Sequence, residues 1–234
     1  MTDVTATATD VTITTAPTKG EQTRATIIDV ALRLFRERGF EATTMRAIAS
    51  EAGVSLGNAY YYFASKEHLI QGYYERVGVD HAAAVVGPLA TETDLERRIL
   101  IMLEAWLDVV EPYRSFAGQF FKHAAEPTSP LSPFSAASAP ARAASIALWR
   151  DVVDGSDSKI AKGIAGELPE LLWLYFMGLV LFWVHDPSDG NARTRVLVAR
   201  TAPLVVRAIG LARVPVIRGT IEDLIGLIAE LKSL

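Results

Sequence analysis

The run from Leu171 to Val184 is apolar for 14 residues, counting Gly178, and constrains the fold more than any other segment. A membrane span needs about 20 such residues, and runs of about 10–14 belong more often to buried core helices. A helix that is hydrophobic on every side must be covered on every side. In a soluble chain, one face then meets its own domain and another meets a partner; the alternative is a central core helix in a monomer. Leu95, Ile99, Met102, Leu103, Trp106 and Val110 form a second apolar stripe, opposite Arg97, Arg98, Glu104 and Asp108. Phe116 and Phe120 belong to a further helix after Pro112, and four prolines within 127–140 mark a loop. Helices are expected at 141–153, 167–185, 191–211 and 220–232, with Pro203 kinking or splitting the segment 191–211. No segment alternates with period two for long enough to form a sheet, so the expected class is all-α.

At 234 residues the chain holds one small and one medium domain. It has no cysteine, which removes disulfides, thiolate metal sites and cysteine nucleophiles together. His68, His81, His123 and His185 form no close ligand pair, so neither a metal nor another cofactor is expected. The opening MTDVTATATD lacks the basic and apolar regions of a signal peptide, and a cytoplasmic location fits. Residues 1–20, rich in Thr and Ala, read as a disordered arm.

Ile28, Ala31, Leu32 and Phe35 form the inner face of a first helix, with Gly39 at a left-handed C′ position and Phe40 folding back. Thr43 or Thr44 caps a second helix whose Ile48, Ala49 and Ala52 face inward. Ser55 caps a third helix, and Ser65 a fourth that runs from Lys66 into the 80s, softened by Gly72 and Gly78. MRAIASEA, GVS and LGNAYYYF thus take the form of a helix-turn-helix. Successive helical residues point about 100° apart. Tyr60, Tyr61 and Tyr62 therefore cannot all be core, while Ala59 and Phe63 share the inward face. Net charge does not advertise nucleic acid: the chain carries −4, and Glu21–Gly78 sums to zero. Any DNA-binding surface must rest on where charges sit.

The stretch TTMRAIASEAGVSLGNAYYYFASKEHLI closely resembles the DNA-binding region of the TetR family of regulators, with the match running from about Arg24 to Tyr74. The resemblance implies a three-helix DNA-binding head over 21–67 and a larger helical ligand-binding and dimerisation domain over 68–234. It also implies a homodimer, through the helices at 167–185 and 191–211, that binds double-stranded operator DNA. By position, Thr44 would cap the second helix and contact phosphate, and Arg46 would reach a phosphate or guanine edge. Ser55, Leu56, Gly57 and Asn58 open the recognition helix; Tyr60, Tyr61 and Tyr62 would divide between phosphates and bases; Lys66 would meet a phosphate at the fourth helix's start. Ala59 stands where the family usually has a larger aliphatic residue. A small, largely apolar effector would lie among Trp106, Phe116, Phe120, Trp149, Trp173, Phe176 and Met177, with Gln119, His123 and Tyr175 as polar candidates. Its binding would release the protein from DNA, as in a repressor.

Two other classes compete. Gly53-Val54-Ser55-Leu56-Gly57 matches the G-x-S-x-G nucleophile elbow of serine hydrolases, which requires a strand before the serine. A helical interaction module without DNA binding is the other.

Overall fold

The computed structural model describes residues 18–114, 117–118, 121, 124–126, 128–213 and 219. Residues 1–17 of the arm expected over 1–20, and the helix expected at 220–232, lie outside the described residues. Among the described residues all regular structure is helical. None of these helices is long and apolar enough to cross a membrane.

Helix α1 spans Lys19–Arg38, so Lys19 and Gly20 belong to a helix and not to the arm. Thr18 starts it with a reciprocal capping box: its Oγ1 accepts from Glu21 N at 3.2 Å, and its own N–H donates to Glu21 Oε2 at 2.7 Å. At the other end Gly39 takes φ 84° and ψ 160°, a glycine conformation but not the left-handed helical one expected. The turn it makes returns Phe40 onto Phe35, with ring centroids 5.1 Å apart.

Helices α2 (Met45–Glu51) and α3 (Leu56–Tyr62) follow, and then α4 (Lys66–Thr91). Ile27, Phe35, Ile48, Ala59, Phe63 and Ile70 sit in the head's core. The boundary expected between residues 67 and 68 falls in the first turn of α4. That helix serves both parts: Leu69, Ile70 and Tyr73 pack in the head core, whereas Val85 and Leu89 pack in the C-terminal core. Gly72 has a packing role in this helix. A Cβ there would come within 2.8 Å of Ile28 Cδ1, so glycine permits the close approach of α4 to α1.

The C-terminal part is built from α5 (Leu95–Val110), α6 (Ala139–Asp154), the short α7 (Lys162–Ala165), α8 (Leu168–Val184) and α9 (Ala192–Leu211). Its core contains the stripe expected on α5 together with Trp149, Leu172, Phe176 and Trp183. One expectation is corrected here and another is narrowed. Arg98 is not on the solvent face but buried, 3% exposed. Of the two outcomes expected for Pro203, splitting does not occur, for α9 continues from Ala192 to Leu211. The carbonyl that loses its partner to Pro203 is that of Ala199, an exposed residue, so water can take the missing bond.

Candidate functional site

The helix-turn-helix is held by short-range caps. Thr44 Oγ1 accepts from Ala47 N at 3.2 Å, and Ser55 Oγ from Asn58 N at 3.1 Å. Gly53 supplies the positive φ, 67°, that turns the chain between the two helices. The segment before Ser55 is therefore helix and turn. A nucleophile elbow needs a strand there, and the serine oxygen is already committed as a cap.

With Ala59 fully buried, α3 presents its other side outward. Gly57 and Asn58 are exposed, as are Tyr60 at 48% and Tyr61 at 81%. A Cβ on Gly57 would meet nothing within 4 Å, so the start of the helix is open. Leu56 and Tyr62 are half-buried. Tyr62 turns back toward α1: its hydroxyl lies 3.6 Å from where a Cβ of Gly20 would stand.

The head's charges are largely spent on each other. Arg24 pairs with Glu75 at 2.7 Å, Arg33 with Glu51 at 2.7 Å, and Arg76 with Asp29 at 3.3 Å. Arg38 reaches Glu51 at 3.4 Å, and Arg36 donates to the Pro112 carbonyl at 3.3 Å. Lys66 is also held internally. Its ammonium donates to the Phe40 carbonyl at 2.8 Å and sits 4.4 Å above the Phe40 ring. Ser65, at the N-cap of α4, does not bond the helix backbone with its side chain; its Oγ lies 3.0 Å from His68 Nδ1. Arg46 differs from the others. It is exposed on α2 beside the recognition helix and has no partner among the described residues. A segment of zero net charge thus leaves an uncommitted cation next to exposed phenols, a pattern suited to phosphate and base contacts.

A cavity of about 460 Å³ lies between α4, α5, α6 and α8. Trp106, Trp173, Phe176 and Met177 line it as expected from the sequence, joined by Val77, His81, Val180 and Trp183. Trp106 stands edge-on to Phe176 and Trp183, at 5.0 and 5.2 Å. Two candidates fall elsewhere. Trp149 is buried behind Phe176 and is not part of the wall. Tyr175 faces α9, its hydroxyl 2.5 Å from Thr201 Oγ1. Phe116, Gln119, Phe120 and His123 lie outside the described residues. His81 was missed, although Val77 and Val85 at i−4 and i+4 place it within an apolar stripe.

The loop before α6 closes one side of the cavity through Pro133 and Ser138. It is tied to α4 by Gln71 Nε2 donating to the Pro130 carbonyl at 2.6 Å and by the Tyr74 hydroxyl donating to the Leu131 carbonyl at 3.0 Å. Arg142 on α6 donates to the Pro133 carbonyl at 2.6 Å. Burial raises the Tyr74 phenol well above its ordinary value, and lowers the His81 imidazole despite its contact with the Met102 carbonyl. Both are neutral near pH 7.

Two family patterns match the chain. "Bacterial regulatory proteins, tetR family" covers residues 27–73, and "Tetracyclin repressor-like, C-terminal domain" covers residues 98–227. The HTH-type transcriptional repressor KstR2 of Rhodococcus jostii is 34% identical over 93 residues, a stretch that is 38% of this chain and 46% of that repressor. The chain thus spans less than half the length of this curated relative. The crystal structure of a TetR transcriptional regulator from Nitrosomonas europaea superposes with a TM-score of 0.59 at 19% identity, covering 78% of this chain and 97% of that one. The fatty acid degradation regulator FadR of Bacillus halodurans superposes with a TM-score of 0.58 at 16% identity, covering 77% and 94%. At such identities the structures establish the shared fold. Since the C-terminal pattern alone spans more than half the chain and the N-terminal one spans the helix-turn-helix, the chain belongs to the TetR family of helix-turn-helix transcriptional regulators.

Proposed function

We propose that the protein is a ligand-responsive repressor, with a head over 21–67 and a ligand-binding and dimerisation domain over 68–234. A dimer binds a palindromic double-stranded operator in the cytoplasm, and a small, largely apolar molecule in the cavity releases it. The observation that carries this reading is the double duty of α4, whose first turns pack into the head core while Val77 and His81 wall the cavity. A ligand that favours one setting of this helix shifts the head between DNA-competent and incompetent spacings, provided it binds the two states unequally. The similar fold of FadR belongs to a regulator of fatty acid degradation, and an apolar effector agrees with the aromatic wall seen here.

Dimerisation through α8 and α9 is supported by the apolar side chains one protomer leaves exposed. On α8 these are Leu174 at 38%, Leu181 at 47% and Phe182 at 41%; on α9 they are Val196 at 60%, Leu204 at 56% and Leu211 at 50%. Two copies of this pair would close a four-helix interface and set two recognition helices in successive major grooves, about 34–36 Å apart. In that arrangement Arg46, Gly57, Asn58, Tyr60 and Tyr61 make the base and phosphate contacts. Thr44 and Ser55 offer their helix ends. Leu56, Tyr62 and Lys66 support the surface from its edge.

Selection of bound sequences from random duplexes tests the reading. Enrichment of an inverted repeat, bound as one dimer, is expected. Failure to enrich any sequence would sink operator binding. Once the operator is in hand, a ligand that occupies the cavity must weaken operator affinity, and operator must weaken ligand affinity by the same factor. Equal ligand affinities with and without operator would show that the cavity is not a switch.

A further inference from the structure

His81 stands in the middle of α4, in a largely apolar cavity wall that includes Val77, Trp106, Phe176, Met177 and Val180. It is 4% exposed. Its Nε2 lies 2.9 Å from the Met102 carbonyl oxygen. A carbonyl can only accept, so Nε2 carries the proton. Burial disfavours the charged ring, and no carboxylate touches it among the described residues, so the ring stays neutral. Nδ1 is then a bare acceptor, and it has no partner among the described residues.

Three other polar groups of the wall are already engaged, while the Trp183 indole N–H and the Ser145 hydroxyl have no partner among the described residues. The Ser138 hydroxyl accepts from Gln71 Nε2 at 3.2 Å. Tyr74 donates its proton to the Leu131 carbonyl, and Arg142 donates to the carbonyls of Pro133 and Ser135. His81 Nδ1 and the buried Trp183 Nε1–H thus leave an acceptor and a donor on a largely apolar wall, each without a partner among the described residues. A ligand can supply what the protein withholds. A carboxylate or an ether brings only lone pairs toward Nδ1; a hydroxyl brings a proton.

We propose that the effector is an uncharged, largely apolar molecule carrying one alcohol or phenol group, and that this hydroxyl donates to His81 Nδ1. The proposal rests on the cavity being the effector site. His81 also links α4 to α5 through Met102, so the ligand's polar end would bear on the helix that carries the head.

Three probes that share one pentylphenyl body decide it: 4-pentylphenol, its methyl ether, and 4-pentylbenzoate. Each is titrated into the full-length protein without DNA, following tryptophan fluorescence and heat, since Trp106, Trp173 and Trp183 line the site. The phenol should bind about tenfold more tightly than the ether, the worth of one well-placed hydrogen bond. His81→Phe should abolish that preference while keeping apolar binding, and His81→Gln, which retains a donor and an acceptor, should keep part of it. Should His81→Phe fail to fold, the wild-type ranking and His81→Gln still decide. Equal binding of phenol and ether overturns the proposal and leaves the cavity reading standing. So does tightest binding of the benzoate, which would move the polar end to Arg142. No binding by any probe overturns the cavity reading, and this inference with it.

Discussion

Replacing Arg98 by methionine should destabilise the C-terminal domain more than removal of any exposed charge. The guanidinium has no carboxylate partner among the described residues. It donates instead to backbone carbonyls: Nε to Val152 at 2.8 Å, Nη1 to Leu89 at 2.7 Å and also to Glu92, and Nη2 to Asp151 at 2.6 Å. Leu89 and Glu92 lie at the end of α4, Asp151 and Val152 at the end of α6. Helix C-termini carry unsatisfied carbonyls and partial negative charge, so one buried cation fastens two of them together. Methionine would replace the packing of the stem but leave these acceptors facing an apolar group. Bonds from a charged donor are worth about 1.5–3 kcal/mol each, though loosened helix ends recover some of that from water. The net loss should resemble removal of one partner from a buried ionic cluster, about 3–5 kcal/mol. At about 2–4 °C per kcal/mol for a chain of this size, Tm should fall by roughly 6–20 °C. Arg98→Lys should recover less than half, since a point charge cannot fork to both helix ends.

Gly155 supplies an independent check on the same geometry. A Cβ there would stand 2.2 Å from Arg98 Nη2 and 2.6 Å from Cζ. Gly155→Ala should push the guanidinium off α6 at a cost of about 1–3 kcal/mol. In the Arg98→Met background most of that cost should vanish, because the two changes share one contact. Denaturant unfolding and calorimetry on the four proteins of the cycle read this directly. A single Arg98→Met loss below about 1 kcal/mol, or strict additivity of the pair, would refute the reasoning.

Other outcomes follow from the same structure. Arg46→Ala should weaken operator binding and flatten the dependence of log affinity on log salt by about one unit, measured by fluorescence anisotropy; an unchanged slope would remove Arg46 from the phosphate contacts. Tyr61→Ala, at a side chain 81% exposed, should weaken operator binding yet leave Tm nearly unchanged. Lys66→Ala should lower head stability as well as operator affinity, by about 1–2 kcal/mol in stability, because it removes the bond to the Phe40 carbonyl; an unchanged unfolding midpoint would argue for a purely DNA-facing role. Leu181→Asp places a charge twice in a two-fold interface and should convert dimer to monomer in light scattering, with a penalty of several kcal/mol. Asp186 yields a pH dependence. Burial opposes its charge, but the N–H and hydroxyl of both Ser188 and Thr194 donate to its carboxylate and hold its pKa well below the usual range. Its contribution is thus complete above the unfolded value of about 3.9 and is lost as pH falls below it. Asp186→Asn should flatten acid unfolding in that window.

What could be read from the chain and what could not divide along sequence distance. The caps at Thr44 and Ser55, the buried face of Ala59 and Phe63, and the exposure of Tyr61 all follow from residues within one or two helical turns. The internal contacts of Tyr62 and Lys66 are not legible locally, because the groups they meet, Gly20 and Phe40, are far along the chain. The rotation of a helix against its neighbours is likewise a tertiary property, which is why Trp173 and Phe176 reach the cavity while Tyr175 between them faces α9. The box at Thr18 and Glu21 was legible locally, but the Thr- and Ala-rich composition around it argued for an arm.

Arg98 and His81 expose a conflict between two local signals. Arg98 lies three residues after Leu95 and four before Met102, and His81 four after Val77 and four before Val85. Helical spacing places both inside, whereas residue type places both outside. Spacing prevailed at each position. A polar residue held on a buried stripe must find partners there. Arg98 finds them in the ends of two other helices, so it fastens tertiary structure. His81 finds one partner for one nitrogen, and its second nitrogen meets the cavity wall with none. The same departure from pattern therefore has two outcomes: at Arg98 complete satisfaction makes a structural clamp, and at His81 the open nitrogen is the one that the proposed ligand hydroxyl would complete.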